Sequence, residues 1–440
     1  MAEFSYKSPV VLKSRTRKKS AHIYSNLGSI SFSKLLILVF LILLCKTQDG
    51  FVKVEGRNFT LNGERYTYLG ANYWAGMNLG APMNGNYARL TSDLDLLQSN
   101  GVRNLRIMGS TQGPDYKPHR ITPSLEYECG RYNEDTWEGL DLFLYEMHKR
   151  NMKAVIPLNN YWGWSGGFDQ VIEWFFGENQ NDTEIFYFRD KITKHYDEFI
   201  HLIVNRKNTA YLRYEGRTVY YKDDPTIMSW QLANEPRSIN CKEWASWISG
   251  RSQLLKYLDS NHIVSIGTEG TITTCQKSGN EVPTIDYITV HAWAQNWGWY
   301  TPSSREGFEQ GVKKVQEYIS ENIKENLNIS KPIVMEEFGL ARDGLSFDPK
   351  ATVNIRDDFY QAVFDEVLKR TQEGIMAGVN FWAFGGKGRP RENGGLMWEP
   401  GDDFIGDPPH EPQGWYSVYD TDHSTLELIK QYAQKFEGIQ

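Results

Sequence analysis

The stretch 229–237, SWQLANEPR, decides the fold. It begins as an apolar run typical of a buried strand, and then presents the amide of Asn234 and the carboxylate of Glu235 directly before Pro236. Proline cannot donate a ladder hydrogen bond, so it marks the end of the strand. Burying an unpaired carboxylate is costly. A carboxylate placed where a buried strand ends therefore predicts a functional site at that end of a sheet.

Apolar runs of this kind recur along the chain and alternate with longer segments of helical period. The eight strand-like runs are 66–74, 102–109, 153–162, 226–236, 263–270, 287–293, 332–339 and 378–386. The amphipathic segments include 88–101, 136–151, 308–327, 359–374 and 423–436. Eight strand–helix units predict an α/β fold, a (β/α)8 barrel. A doubly wound sheet is the alternative, but it calls for a phosphate-type glycine loop after the first strand, and LGANYWAG is not one.

Two features flank this pattern. Residues 51–65 alternate around Asn62-Gly63, which predicts a β-hairpin ahead of the barrel. Long loops follow several strands, at 110–135, 163–185, 294–306 and 387–417. In a barrel such loops stand over the C-terminal face, where active sites lie. We therefore expect residues 51–440 to form a single (β/α)8 catalytic domain.

Residues 1–50 are predicted to be a separate N-terminal segment. A basic region precedes the apolar run LLILVFLILLC at 35–45. Eleven apolar residues are too few to span a hydrocarbon core of about 30 Å as a helix, but they match the central region of a secretion signal. We therefore expect a secreted protein after signal cleavage. The alternatives are anchoring to a membrane through this segment or through a lipidated Cys45.

Charge and cysteine content narrow the class of partner. Residues 1–50 carry eight basic and two acidic side chains, so the rest of the chain has a net charge of about −13 against −7 for the whole. An acidic protein without basic clusters argues against nucleic acid as a partner and favours a neutral substrate. The spacing of Cys129, Cys241 and Cys275 suits no zinc site, and we expect neither a metal nor another cofactor. In a secreted protein one disulfide is expected, with one thiol left free.

Polar and ionisable side chains stand at the ends of several predicted strands. Asn234 and Glu235 end the fourth strand, and Glu336 and Glu337 end the seventh. The second, sixth and eighth strands carry Arg106, His291 and Trp382. Any one of these could form a salt bridge at the rim, but together they predict a site at one barrel mouth. Two glutamates facing each other across a barrel can hydrolyse a glycosidic bond, because one protonates the leaving oxygen and the other attacks the anomeric carbon or activates water.

The motifs ANEPR and MEEFG resemble those of glycoside hydrolase family 5, within clan A, and the matching strand ends cover about residues 66–386. The resemblance implies that Glu235 is the acid/base and Glu337 the nucleophile. It also implies supporting roles for Arg106, Asn234 and His291, and a sugar platform at Trp382. We expect the Arg106 guanidinium to lower the pKa of Glu337 and the neighbouring carboxylate to raise that of Glu235. Since side chains alternate along a strand, Glu336 is expected to point away from the site.

Further residues bear on the substrate. Arg237 is similar to the arginine that follows Asn-Glu-Pro in β-mannanases, and LNNYWGW and VNFWAFGG also resemble that branch. At Trp293 the family usually has a tyrosine. The indole N–H could take over its role as a donor, or the ring could bind substrate as a sugar platform. Candidates for sugar-binding subsites along the cleft are Trp74, Asn159, Trp162, Trp164, Trp297, Trp299 and Trp398.

The sequence therefore predicts a retaining endo-β-1,4-mannanase, acting as a monomer on β-mannan. The alternatives are an endo-β-1,4-glucanase, an exo-acting hydrolase of mannooligosaccharides, and a sugar-binding barrel without activity. Cys241 and Cys275 lie in the loops after the fourth and fifth strands of this barrel, and neighbouring loops on one face can meet. We therefore expect these two residues to form the disulfide.

Overall fold

A computed structural model describes residues 50–178, 180, 182–302 and 304–439 of the protein. The predicted N-terminal segment lies outside these residues apart from Gly50, so its role as a secretion signal stays a prediction. No helix of the described part is long and apolar enough to cross a membrane.

The strands, numbered in chain order, are β1 (Lys53–Glu55), β2 (Asn58–Leu61), β3 (Glu64–Tyr66), β4 (Tyr68–Asn72), β5 (Asn104–Arg106), β6 (Glu126–Glu128), β7 (Arg131–Tyr132), β8 (Lys153–Pro157), β9 (Ile227–Gln231), β10 (Ile263–Ser265), β11 (Ile288–Ala292), β12 (Ile333–Phe338), β13 (Met376–Phe381), β14 (Phe384–Gly386) and β15 (Val418–Tyr419). The α-helices are α1 (Gly76–Gly80), α2 (Tyr87–Ser99), α3 (Glu134–Lys149), α4 (Gly167–Phe176), α5 (Asp190–Val204), α6 (Thr209–Glu215), α7 (Cys241–Leu258), α8 (Gln276–Asn280), α9 (Arg305–Glu325), α10 (Asn354–Gln372) and α11 (His423–Glu437). Short 3-10 helices span Gly163–Ser165, Thr183–Tyr187, Tyr221–Asp223 and Asp343–Leu345.

Eight of the strands form one parallel sheet, in the order β10-β9-β8-β5-β4-β13-β12-β11. An isolated parallel bridge between Ser265 and Tyr287 joins the two ends of this order. The sheet is thereby nearly closed into a barrel, with helices between successive strands, and the predicted fold is confirmed. Seven of the eight predicted apolar runs contain one barrel strand, and β13 begins two residues before the eighth run. All five residues of β9 are buried, as expected for parallel strands that are covered on both faces.

Several helices begin at a side chain that accepts a backbone N–H, which satisfies donors that the first turn leaves unpaired. Asn86, Asn133, Asn208, Asn240 and Ser304 do this for α2, α3, α6, α7 and α9. The caps set where each helix leaves its βα loop, and so fix the length of the loops over the C-terminal face.

The N-terminal opening of the barrel is plugged by the small sheet β1-β2-β3. The predicted turn at Asn62-Gly63 joins β2 and β3, with φ angles of 58° and 84°, and β1 adds a third strand to the predicted hairpin. Phe59 of this sheet packs edge-on against Tyr287, with ring centroids 5.3 Å apart. The opening is therefore filled by apolar side chains, and polar chemistry is left to the other end.

A β-bulge interrupts the regular pairing of β11 with β12. The register shifts between Val290 and His291, so that His291 stands opposite Glu337 and Glu336 has no counterpart. The prediction that Glu336 points away from the site is therefore wrong. Its carboxylate accepts from Gln231 at 2.8 Å and lies 3.3 Å from Nε of Arg106, inside the barrel. Simple alternation fails because a bulge adds one residue to one strand.

The loops after β9 and β10 are joined by a disulfide between Cys241 and Cys275, whose Cα atoms lie 4.8 Å apart. Among the described residues, Cys129 has a free thiol. The long loop after β13 is tied to the loop after β4, because Nε1 of Trp74 donates to the carbonyl of Gly406 at 2.9 Å.

Candidate active site

Two buried carboxylates meet at the C-terminal mouth of the barrel. Glu235 follows β9, and Glu337 lies near the end of β12. One oxygen of each, and a ring nitrogen of His291 between them, lie within 4.8 Å of one another. Both glutamates are almost fully buried, at 6% and 2% exposure. The arrangement places two acidic groups on opposite sides of a space that can hold the reacting bond of a substrate.

The backbone at Glu235 adopts a conformation that is uncommon outside glycine. Its φ is +49°, in the left-handed region that side-chain-bearing residues rarely enter. The N–H of Glu235 donates to the carbonyl of Gly267 at 2.8 Å, which holds this conformation. Such a residue costs on the order of 1–3 kcal/mol and is found where function needs its direction. The chain therefore leaves the strand in a turn that aims the carboxylate at the mouth.

Arg106 is the centre of the polar network beneath the carboxylates. Its Nη1 donates to Oε1 of Glu337, and its Nη2 donates to Oδ1 of Asn234 at 2.7 Å. The same guanidinium donates to Gln231 at 2.7 and 2.9 Å. These contacts use the planar fork of arginine, which holds partners in a fixed geometry. The amide of Asn234 is held in turn by Oδ1 of Asn160, to which its Nδ2 donates at 3.0 Å.

His291 connects three carboxylates. Its Nδ1 lies 2.7 Å from Oε1 of Glu235 and 3.5 Å from Glu337, while its Nε2 lies 3.4 Å from Glu336. Burial by itself lowers the pKa of this imidazole, but the charges of Glu337 and the two other carboxylates raise it to about 10. His291 is therefore a cation that donates a proton from each ring nitrogen.

The charges in this cluster nearly balance. Two cations, Arg106 and His291, face Glu235, Glu336 and Glu337, so one carboxylate lacks a counter-charge. Burial, followed by repulsion from Glu235 and Glu336, raises the pKa of Glu337 to about 7 against the attraction of His291 and Arg106. Burial also acts to raise the pKa of Glu235, but the hydrogen bond and charge of His291 and the donor of Trp162 lower it.

The pKa shifts of Glu337 and Glu235 are opposite in direction to those predicted from the sequence. The physical reason is that His291 is charged and donates to Glu235, whereas the prediction took Arg106, acting on Glu337, as the only cation of the site. Such close groups titrate as a pair, and the protons belong to the pair as a whole. Between the lowered pKa of Glu235 and a pH of about 7 the pair therefore holds one proton between its two carboxylates.

Aromatic side chains wall a cleft above this cluster. It has a volume of about 220 Å³ and is lined from the loops after β8 to β13. The lining residues are Trp162, Trp164, Asn234, Glu235, Arg237, Glu269, Trp293, Asn296, Trp297, Glu337, Trp382, Pro408, His410 and Glu411. Nε1 of Trp162 donates to Oε2 of Glu235 at 2.6 Å. Trp293 stands edge-on to Trp382, with centroids 5.8 Å apart.

The cleft includes two carboxylates that the sequence analysis missed. Glu269, in the loop after β10, forms two 2.6 Å hydrogen bonds with Arg237, and burial together with the charge of Glu235 raises its pKa to about 7. Glu411 comes from the long loop after β13. Its Oε2 is buried without a hydrogen-bond partner, and burial with repulsion from Asp407, Glu337 and Glu235 raises its pKa to about 8. Neither residue lies in a motif, so only the fold brings them to the site.

Four predicted subsite residues do not line the cleft. Trp74 is 3% exposed and packs behind Trp164, with centroids 5.7 Å apart. Trp398 is 2% exposed and stacks on Phe404. Asn159 is buried and supports the loop below Asn234 by accepting its backbone N–H at 2.8 Å, and Trp299 packs on Trp297. A hydrogen bond from Trp293 to Glu337 is also not found among the described residues.

The comparisons with known proteins agree with this geometry. Residues 49–440 match the model of the family described as GH family 5 beta-mannosidase-like. The chain belongs to glycoside hydrolase family 5. It is therefore a glycoside hydrolase, and the alternative of a sugar-binding barrel without activity loses its support.

Several individual relatives are named as mannosidases or mannanases. It is 31% identical over 359 residues to a mannan endo-1,4-beta-mannosidase 1 of Arabidopsis thaliana, covering 76% of this chain and 82% of the relative. A crystal structure of a family 5 mannosidase from Rhizomucor miehei is 36% identical, with a TM-score of 0.82, and the match covers 89% of this chain and 99% of that one. An endo-beta-1,4-mannanase from Thermotoga petrophila, 23% identical over 86% of this chain and 78% of its own, shares the fold with a TM-score of 0.66.

Proposed function

We propose that this enzyme hydrolyses β-1,4-mannosidic bonds with retention of anomeric configuration. The observation that carries the proposal is the approach of Glu235 and Glu337 to within 4.8 Å. Carboxyl groups about 5–5.5 Å apart leave no room for a water between them and the sugar, so one of them must attack directly. Inverting enzymes need about 6.5–9.5 Å.

Each carboxylate has a role that follows from its position. Glu337, held by Arg106, attacks the anomeric carbon while Glu235 protonates the leaving oxygen. This step needs one proton, and the pair holds one proton between its two carboxylates. Once the sugar ester neutralises Glu337, the repulsion acting on Glu235 falls, and Glu235 can take a proton from the water that releases the sugar. Asn234 supports binding of the sugar beside the nucleophile, and Trp382 offers a flat apolar face beneath it.

Mannan as the substrate is supported by the names of the relatives and by Arg237. The guanidinium of Arg237 lies 4.9 Å from the ring centroid of Trp162 and is held by Glu269. A cation fixed between a carboxylate and an indole ring makes a rigid donor surface on the side of the acid/base. A sugar hydroxyl can bond there without ordering a flexible side chain.

The geometry favours release of sugars from a chain end. The cleft of about 220 Å³ is below the range of about 300–1,000 Å³ common for ligand sites. Toward β4 and β5 it is walled by Trp164 and His410, whose parallel rings lie 6.2 Å apart, and Trp74 fills the space behind Trp164. The unpaired Oε2 of Glu411 is positioned to accept from a terminal sugar hydroxyl. The second candidate is the endo mode predicted from the sequence, and the names of the curated plant relatives support it.

Product analysis distinguishes these modes. Residues 50–440 would be incubated with unbranched β-1,4-mannan and with a mannohexaose, and product sizes and anomers would be followed from the first minutes. One short product from the start supports chain-end release, whereas a mixture of oligomers supports the endo mode. An initial α-anomer contradicts retention, and cleavage of cellulose chains in place of mannan contradicts the proposed substrate.

Glu411 provides a sharper test of the chain-end mode. We expect Glu411→Ala to lower kcat/KM on mannohexaose about 5- to 100-fold, because the sugar hydroxyl that loses its partner in the closed subsite costs about 1–3 kcal/mol. Glu399→Ala, an exposed carboxylate of the same loop, is the matched control. An unchanged kcat/KM in Glu411→Ala would remove the support that Glu411 gives to a closed subsite.

We also propose that the enzyme is secreted and acts as a monomer. The apolar run at 35–45 and the disulfide support secretion, since disulfides persist in oxidising compartments. Size-exclusion chromatography and sequencing of the N-terminus of the secreted protein test both points.

A further inference from the structure

A second cluster of ligand-type side chains lies away from the catalytic cleft. Nε2 of His195 is 3.2 Å from Oε1 of Glu126, and Nδ1 of the same ring is 3.9 Å from Sγ of Cys129. One ligand atom from each of the three residues lies within 4.8 Å of the others. Glu126 is on β6, Cys129 is in the turn before β7, and His195 is in the middle of α5. None of them lines the catalytic cleft.

The three side chains of this cluster are of the types that bind a soft divalent cation. Zinc in proteins is held by sulfur, nitrogen and carboxylate oxygen, at about 2.0–2.3 Å in a tetrahedral arrangement. Those bond lengths place neighbouring ligand atoms about 3.5 Å apart. One nitrogen of His195, the sulfur of Cys129 and one oxygen of Glu126 already lie within 4.8 Å of one another, so a shift of about 1 Å in the Cys129 and Glu126 side chains brings the three atoms to one ion. Cys129 is only partly buried, and a fourth ligand position can therefore face solvent.

The surroundings of the cluster favour a cation. Besides Glu126, the carboxylates of Glu128 and Glu198 lie close enough to Cys129 for their charges to act on it. The negative charge of these carboxylates attracts a positive ion. The ligands are also held in place. Glu126 accepts the backbone N–H of Gly130 at 2.7 Å, and the His195 ring packs edge-on against Trp174 and Phe175.

We propose that Glu126, Cys129 and His195 bind one zinc-type divalent cation. The ion joins the β6–β7 hairpin to α5. The hairpin belongs to the loop whose Gln112 N–H donates to Ser165 at 2.7 Å and whose Ile121 N–H donates to Trp164 at 3.0 Å. Occupation of the site therefore stabilises the loop that supports Trp164, and takes no part in bond cleavage.

The test uses the purified chain, residues 50–440, after treatment with a chelator. Zn²⁺ would be titrated calorimetrically, and Co²⁺ would be added to detect a thiolate-to-metal charge-transfer band. We expect one equivalent of metal per chain, the cobalt band, and a rise in Tm with added Zn²⁺. In Cys129→Ser, affinity for Zn²⁺ falls at least 10-fold and the band disappears, while hydrolysis of mannan is retained and reports that the variant is folded.

A matched control comes from the same helix. His201 is an exposed histidine of α5, and His201→Ala should bind Zn²⁺ as the parent does. Metal binding that persists in Cys129→Ser overturns the proposal. It would assign the ion to the other cluster of suitable geometry, Glu235, His291 and Glu337, where it would inhibit hydrolysis. Absence of binding, or an equal loss in His201→Ala, overturns it as well.

Discussion

The indole N–H of Trp162 donates a 2.6 Å hydrogen bond to Oε2 of Glu235. This bond favours the ionised carboxylate, since it is made to the charged form. Glu235 thus has two donors, because Nδ1 of His291 occupies its other oxygen at 2.7 Å. The acid/base group of the proposed mechanism is oriented by two loops, one after β8 and one after β9, together with strand β11.

Trp162→Phe should move the basic limb of the pH–kcat profile to higher pH. Loss of the donor raises the pKa of Glu235 by up to about one unit, so the acid stays protonated over a wider range. Trp297→Phe changes another ring of the cleft for which no hydrogen bond to Glu235 or Glu337 is found among the described residues, and it should leave the limb in place. Equal shifts in both variants would assign the effect to packing.

Glu235→Ala and Glu337→Ala should differ on a β-mannoside with a dinitrophenolate leaving group. This leaving group needs no protonation, so Glu235→Ala should keep a fast first turnover, although it loses about 10²–10⁴-fold on mannan. Glu337→Ala should lose the first turnover too, because no covalent intermediate can form. Stopped-flow release of the phenolate measures both, with Glu399→Ala as the control. A burst in Glu337→Ala and none in Glu235→Ala would exchange the proposed roles.

Glu337→Gln should flatten the dependence of stability on pH. The folded-state pKa of Glu337 is about 7, raised first by burial, while an unfolded glutamate titrates near 4.3. Between these values only the folded state holds the proton, so the free energy of unfolding falls as pH rises through this window and levels off above about 7. The charged form costs about 4 kcal/mol above neutral pH.

The measurement is urea unfolding of the parent and of Glu337→Gln at pH 5 and pH 8. The parent should lose more stability between these values than the variant does, and the variant should be the more stable of the two at pH 8. Glu269 and Glu411 also have raised pKa values, so part of the slope remains. Identical slopes would show that Glu337 does not take up the shared proton.

The double variant Cys241→Ala, Cys275→Ala should lower the free energy of unfolding by about 3–4 kcal/mol. The disulfide closes a segment of 34 residues, and this estimate is the loop entropy that such a link removes from the unfolded chain. Denaturant unfolding in the presence of a chelator measures it, so that the site proposed at Cys129 is empty and Cys129→Ala is the control for loss of a cysteine alone. A loss below about 1 kcal/mol would mean that the packing of α7 already restrains the two loops.

The sequence predicted the barrel because each parallel strand is buried on both faces and therefore reads as an apolar run. The sequence also predicted four polar residues of the site for a related reason, since polar groups that interrupt apolar runs are easily recognised. These residues are Glu235, Glu337, Arg106 and His291. Loop residues lack this contrast. Glu411 lies about 30 residues beyond β13, and nothing in its sequence neighbourhood marks it as part of the cleft.

Aromatic residues illustrate the same limit. Trp74, Trp162 and Trp398 all lie in loops over the mouth, yet only Trp162 reaches the cleft. A tryptophan that lines a cleft and one that packs behind it have the same local pattern. Their difference depends on which loop lies in front, as Trp164 does for Trp74. The directions of the pKa shifts were wrong because they depend on the bulge that brings His291 between three carboxylates.

The bulge between β11 and β12 has a consequence for how this strand can change over generations. It lets Glu336 and Glu337 both face the barrel interior, although neighbours on a regular strand would face opposite ways. Losing or gaining one codon in β12 would reverse the facing of every residue beyond it. A deletion or insertion in β12 is therefore expected to disrupt the site, whereas a substitution changes one side chain and leaves the others in place.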